Sequence, residues 1–315
     1  MCDQRELSTY ERRQIELIET WMSSPPSYAA HGIRAAKGVA GSLVRRVLPD
    51  GVVKKIGARA SLMSTVVQKA IPTGAIEGAV NANLWLAHQW TREKVVLREL
   101  GIKTFDEIKD LNLEQLDQLA NKVHNAAIGA GGVAGAVGGA GGVVLAVPSV
   151  VAIINLTMRT IRQIGLCYGY RENDHIERAC MLEVLRLVGG GGEQGAKMAS
   201  AKFLQETLVM VKRTTFKKMA EKAAAETALK EAFILQSREV AKQLGFRLTK
   251  SRIQAGIPVL GGGVGLLLDG NYMRSVGWTA RHYYQRRWLQ DRGLWPDIID
   301  AAPDEGEGDA NPHEE

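Results

Sequence analysis

Apolar residues recur along this chain at helical spacing, and no stretch shows the strict alternation of a half-buried strand. Ser8 and Glu11 form an S-x-x-E capping box, Ile15, Leu17, Ile18, Trp21 and Met22 follow it, and Pro25-Pro26 ends that first helix. Residues 73–100 are expected to be helical up to Gly101. Thr104 and Glu107 make a second capping box ahead of a stripe formed by Leu111, Leu113, Leu116 and Leu119. Pro148 is placed in the first turn of a further helix running to about Tyr168, where its missing donor costs nothing. Gly169 breaks the chain, and Ile176, Met181, Val184, Leu185 and Val188 stripe a helix over 174–188. Gly189 to Gly192 is expected to be a joint, residues 196–245 two helices, and Asn271 to about Asp291 the last helix. The predicted fold class is all-α.

One stretch departs from ordinary amphipathic patterning. Residues 126–158 hold no charge and eight glycines. Gly131, Gly135 and Gly139 recur every fourth residue, and Ala130, Ala134, Gly138, Gly142 and Ala146 form a row beside them. On a helix these rows make one broad face nearly free of side chains. Eight glycines in a helix interior cost about 8 kcal/mol relative to alanine, at roughly 1 kcal/mol each. Close backbone contact with another helix is the available compensation, as in small-xxx-small packing between membrane helices. Gly261 and Gly265 repeat the four-residue step in GIPVLGGGVGLLLDG. Two glycine-rich helical hairpins are therefore expected, near 126–168 and 256–290. Gly131, Gly135, Gly139, Gly142, Gly261 and Gly265 would be their packing positions, with other helices wrapped around them.

Composition sharpens this picture through charge. The net charge of +6 conceals an asymmetry, because residues 301–315 carry six acids and no base, which leaves about +12 on residues 1–300. Residues 1–300 are read as one helical domain and 301–315 as an acidic disordered tail. Residues 31–60 hold Arg34, Lys37, Arg45, Arg46, Lys54, Lys55 and Arg59 against the single acid Asp50. Such a segment suits either a solvated face or a surface lying on anionic headgroups. The charged N-terminus offers no apolar signal-peptide core, and the best candidate membrane span is interrupted by Pro148 and diluted by glycine. Cys2, Cys167 and Cys180 form no CxxC pair, which fits a reducing compartment, and inert buried thiols are the expectation for the last two.

Catalytic signatures are scarce. Gly190, Gly192 and Gly195 match G-x-G-x-x-G by spacing, but a helical pattern precedes them where the fingerprint needs a strand. No phosphate-binding G-x-x-x-x-G-K-[ST], no G-x-S-x-G elbow and no i, i+4 histidine pair is present, so neither a cofactor nor a metal is expected. Asp269 ends the apolar run Val264–Leu268, and a buried carboxylate is rare unless paired. Asn155, Arg159, Asp269 and Asn271 are candidates for a polar centre between the hairpins, with Asp269 pinned by Arg159, Arg274 or an amide. Arg281, Arg286, Arg287 and Arg292 interleave with Tyr283, Tyr284, Trp288 and Trp295. That segment fits a docked amphipathic helix, an interfacial belt of snorkelling arginines, or base stacking beside phosphates.

The order of these segments resembles the EcsC family. The likeness runs over roughly residues 8–290. It takes in the helix ending at Trp21, LRELGIKTFDEIKDLNLEQLDQLANKV (97–123), the glycine-rich run with its proline, CYGYRENDHIERA (167–179), GIPVLGGGVGLLLDG and VGWTARHYYQRR. Arg171 stands where members often carry an acid. The resemblance implies a bacterial, helical protein with a membrane-linked accessory role, since the founding member is encoded beside the components of an ABC transporter. The expectation is a non-catalytic cytoplasmic protein, peripheral to the inner membrane, that contacts an anionic membrane surface and a transporter or secretion system. Arg45, Arg46, Lys54, Lys55, Arg281, Arg286, Arg287 and Trp288 would supply that contact, and nucleic acid is the less favoured partner. Two alternatives stand beside it: a hydrolase with a polar site around Asp269, and an integral protein inserting one glycine-rich hairpin. Arg159 and Arg162 oppose full crossing, because a charge at the bilayer centre costs at least about 2.5 kcal/mol.

Overall fold

A computed structural model describes residues 6–23, 73–85, 93–140, 146–171, 175–189, 240 and 261–295. Every element among them is helical: α1 (Thr9–Ser23), α2 (Thr73–Trp85), α3 (Glu93–Leu100), a 3-10 helix (Phe105–Asp110), α4 (Leu113–Ala140), α5 (Ala146–Cys167), α6 (His175–Gly189) and α7 (Gly261–Asp291).

The predicted local signals close these helices. Ser8 N–H donates to Glu11 Oε2 at 2.8 Å and Glu11 N–H to Ser8 Oγ at 3.2 Å, completing the first capping box. The Thr104–Glu107 box opens the 3-10 helix rather than the leucine-striped helix. That longer helix starts after a second reciprocal pair, Asn112 with Gln115, at 3.3 and 3.0 Å. Pro148 lies in the first turn of α5. At the other end of α5, Gly169 adopts φ 90° and the Tyr170 N–H returns to the Gly165 carbonyl at 3.0 Å, a left-handed stop open to glycine.

α7 is the central element, packed on α4, α5, α6 and α1. Asp117 meets Gln285, His124 meets Gly277 and Gly131 meets Asp269, so α4 and α7 run antiparallel. Thr157 meets Met273 and Gly165 meets Tyr284, so α5 runs parallel to α7. All eleven residues from Thr279 to Leu289 are buried, which encloses this stretch of the helix on every side instead of along one stripe. Ile153, Ile154, Met158 and Ile161 of α5, Leu182, Val184 and Leu185 of α6, and Leu113 and Leu116 of α4 surround it.

This arrangement corrects the expected hairpins. Residues 261–291 form one continuous helix, so no hairpin divides the described part of 256–290; with neighbours on four helices, α7 needs no second arm of its own. α4 and α5 are adjacent and antiparallel, since Asp117 near the start of one bonds Tyr168 just past the end of the other. Where the glycine face of α4 is described, at Gly131, it meets α7. A Cβ on Gly131 would stand 2.4 Å from Met273 Cγ and 3.0 Å from the Asp269 carbonyl oxygen. Gly135, Gly139, Gly261 and Gly265 lie on helices whose side-chain surroundings there fall outside the description, and Gly142 lies outside it altogether. So do the basic segment 31–60, the joint expected over 189–192 beyond Gly189 itself, the helices predicted over 196–245 apart from buried Val240, and the acidic tail.

Candidate functional site

The stripe of α4 carries two polar residues in an otherwise apolar row. Leu113, Asp117, Ala120, His124, Ala127 and Gly131 are all buried, at the four- and three-residue steps of one helix face. That face lies along α7, so Asp117 and His124 enter the interior with their backbone and must find partners there.

Asp117 is fully buried and accepts three hydrogen bonds. Tyr10 Oη of α1 donates at 2.7 Å, Gln285 Nε2 of α7 at 2.7 Å, and Tyr168 Oη from the end of α5 donates to the other carboxylate oxygen. Burial outweighs these donors and the nearby Arg281 charge, and pushes the carboxyl above its ordinary range. The same burial, reinforced by the carboxylate, pushes the Tyr10 and Tyr168 hydroxyls well up, so both stay protonated as donors. Gln285 extends the network to Gln14 at 3.3 Å and to His282 at 3.1 Å. Arg281 donates to Asn121 and lies over the Trp278 ring at 4.9 Å.

His124 sits one turn further along α7, on the backbone at Gly277. A Cβ there would fall 2.0 Å from the imidazole, so only glycine admits the ring. Its Nε2 is 3.0 Å from the Arg274 carbonyl oxygen, which can only accept, so this nitrogen carries a proton and donates. Burial first, and the Arg281 charge second, lower its pKa to about 4. Rings of Trp21, His282, Trp278 and His124 then follow one another at 5.2, 5.3 and 5.6 Å across α1, α7 and α4.

A second group faces α6. Arg287 pairs with Glu177 at 2.5 Å, donates to Cys180 Sγ at 3.3 Å and lies 4.0 Å over the Tyr170 ring. Tyr170 in turn donates to Asp291 at 2.8 Å. Neither Cys167 nor Cys180 is in a disulfide, both are buried, and burial pushes the Cys167 thiol up to about 12, as expected of an inert thiol.

The predicted site residues are not brought together. Arg281, Arg286, Arg287 and Trp288, expected on a membrane-facing surface, are 3–7% exposed for the arginines and 0% for the tryptophan. The helix carrying them is enclosed, so their alternation with aromatics serves interior packing. Asn155, expected deep, is on the exposed side of α5, Arg159 and Asn271 are half-buried, and only Asp269 is buried. Arg171, at the position noted for its sign, pairs with Glu93 at 3.4 Å and covers the Phe105 ring at 4.2 Å. Arg45, Arg46, Lys54 and Lys55 lie outside the described residues. Among the described residues no group of three or more His, Cys, Asp or Glu is placed to hold a metal.

Asp117 and His124 escape a reading by motif, but their polar character inside a leucine row was visible. Their partners were not, because Tyr10, Tyr168 and Gln285 lie 107, 51 and 168 residues from Asp117. A model of the EcsC protein family matches residues 12–289. Searches of curated proteins and of solved structures returned no match.

Proposed function

Because the chain belongs to the EcsC protein family, we propose that it is a non-catalytic accessory protein that works against an anionic membrane surface, beside a transporter or secretion system. The observation that carries this reading is where the charge goes. The acids of the described core are occupied: Asp117 by three donors, Glu177 by Arg287, and Glu183 by Arg186 at 2.5 Å. Arg281, Arg286 and Arg287 of the last helix are likewise interior. In this reading residues 31–60, with seven bases to one acid, supply the positive charge that meets the partner. Each base near an anionic leaflet contributes about 1 kcal/mol. α5 supplies a stretch, Val150–Cys167, long and apolar enough to cross a bilayer, but most of that window is buried against other helices, which supports a core role.

The test is co-sedimentation with vesicles. The protein should pellet with anionic vesicles, less at high salt, and little with neutral ones. Replacing Arg45, Arg46, Lys54 and Lys55 by glutamine should weaken binding by at least about a hundredfold. Equal pelleting with both vesicle types would overturn the electrostatic reading, and resistance to alkaline carbonate would favour insertion.

A further inference from the structure

Charge is sorted along the central helices by level. Gly131 of α4 and Thr157 of α5 both meet Met273 of α7, so the three helices stand side by side there. Beyond that level, toward the C-terminus of α4 and the N-termini of α5 and α7, lie residues 132–140, 146–156 and 261–272. The antiparallel course of α4 brings these three ends to one pole of the molecule. They hold a single charge, Asp269, and it is buried. Among the described residues beyond the Met273 level, Val133, Ala152 and Asn155 are exposed, Val133 at 65%. α2, which packs along α5, carries one charge, the half-buried Glu77. Bases begin at once on the other side of the level. Exposed Arg274 follows Met273 directly, and half-buried Arg159 stands two residues past Thr157. Trp278, one turn beyond Arg274, is 42% exposed. The acids Asp106, Glu107, Asp110 and Glu114 all stand at the far pole, before or at the start of α4.

A surface facing water has no reason to exclude charge from three helix ends together, whereas hydrocarbon penalises every charge placed in it. Helices also satisfy their own backbone groups, which lipid requires. Tryptophan and arginine at the edge of such a zone suit the headgroup region, the indole through its amphipathic ring and the arginine by snorkelling. We infer that this pole is the face that meets the membrane, entering the lipid up to a belt formed by Arg274, Arg159 and Trp278. The inference rests on the membrane reading above and adds which part of the fold meets the bilayer, and how deeply. The three ends are nine, eleven and twelve residues long, so they reach about 14–18 Å beyond the Met273 level. That is roughly half of a hydrocarbon core about 30 Å thick, so the pole occupies one leaflet and does not cross. A second copy of this chain would also accept an uncharged end, but it gives no use to bases and an exposed indole at the edge.

The experiment uses the full chain and vesicles of phosphatidylcholine with phosphatidylglycerol, with and without bromine on the acyl chains. An environment-sensitive fluorophore is attached at Val133→Cys or, for comparison, at Asp106→Cys on the far pole, each with Cys2→Ser; Cys167 and Cys180 are buried and stay unlabelled. On vesicle binding the label at 133 should shift to the blue and be quenched by the brominated chains, and the label at 106 should do neither. Val133→Glu changes an exposed position and should fold, yet weaken vesicle binding about a hundredfold. Lys103→Gln makes the same change of charge at the far pole, beyond a Debye length from the lipid, and should alter binding little. Protein that pellets with vesicles while the 133 label stays unquenched overturns the insertion and leaves the membrane reading standing. Protein that pellets with no vesicle overturns both. Equal losses in Val133→Glu and Lys103→Gln mean that net charge alone governs binding, which also overturns the insertion. A blue shift at 133 that needs no vesicle and grows with protein concentration assigns the pole to a second copy and overturns the proposal. If Val133→Glu does not fold, the quenching decides.

Discussion

The two halves of α7 meet the rest of the molecule by opposite means. Toward its N-terminal end it touches α4 through small residues, with Gly131 over Met273 and Asp269, and with Gly270 placed so that an added Cβ would stand 4.0 Å from Gly132 Cα. Toward its C-terminal end it is gripped by large polar and aromatic side chains: Arg281, His282, Gln285, Arg287 and Tyr284. His124 on Gly277 marks the join, a ring laid on bare backbone. Small-residue contact gains dispersion over many weak contacts and tolerates no added volume. A buried polar network fixes register through directional bonds and is costly when a member is lost. One helix thus gets its distance from α4 at one end and its rotation and register at the other.

The strongest way to break the polar half is Asp117→Ala. It strands the Tyr168 hydroxyl and one N–H of the Gln285 amide in the interior, and Tyr10 loses its anchor on α4. At about 1–3 kcal/mol for each buried donor left unpaired, the variant should lose about 4 kcal/mol. Chemical denaturation would measure it. Tyr10→Phe, at the rim, should cost only about 1 kcal/mol; equal losses in both variants would mean that α1 rather than Asp117 holds the network.

The join between the halves is accessible through pH. In the folded chain His124 titrates at about 4, below its unfolded value, so the unfolded state binds the proton more readily. Stability from this residue is therefore complete above the unfolded value and drains as pH falls toward 4. Asp117 works in the opposite sense, because its raised folded pKa favours the protonated core as pH falls. Comparing wild type with His124→Gln cancels that second contribution. Between pH 7 and pH 5 the wild type should lose about 1–2 kcal/mol more than the variant. Parallel pH profiles would show that the ring is reached by water and protonates without strain.

How much of this was legible depended on sequence distance. Capping boxes, the Pro148 start and the Gly169 stop are written within a few residues, and each appears in the fold. The absence of strands among the described residues followed from periodicity alone. The role of the Arg281–Arg287 segment did not. Alternating arginines and aromatics describe equally a membrane-facing helix and one enclosed by four neighbours, and only Asp117, Asn121 and Glu177, more than a hundred residues away, decide between them. Asp269 attracted notice as an acid at the end of an apolar run, while Asp117 and His124, set inside an ordinary leucine stripe, are the α4 polar groups whose partners reach across α1, α5 and α7.

The glycine half gives the smallest effect and the finest discrimination. Gly131→Ala gains about 1 kcal/mol of helix propensity. Against that, the new methyl meets Met273 Cγ at 2.4 Å, a flexible but fully buried side chain, and the Asp269 carbonyl oxygen at 3.0 Å, which is backbone. Overpacking of this kind costs about 1–3 kcal/mol, so a net loss of about 1 kcal/mol is expected. In a Met273→Ala background the side-chain clash is gone, and the same substitution should become neutral or stabilising, leaving a coupling of about 1 kcal/mol between the two positions. Thermal melts of the four proteins give that number. Gly131→Ala that stabilises the wild type outright would mean that α4 and α7 stand further apart than this contact requires, and the polar half alone would then set how they meet.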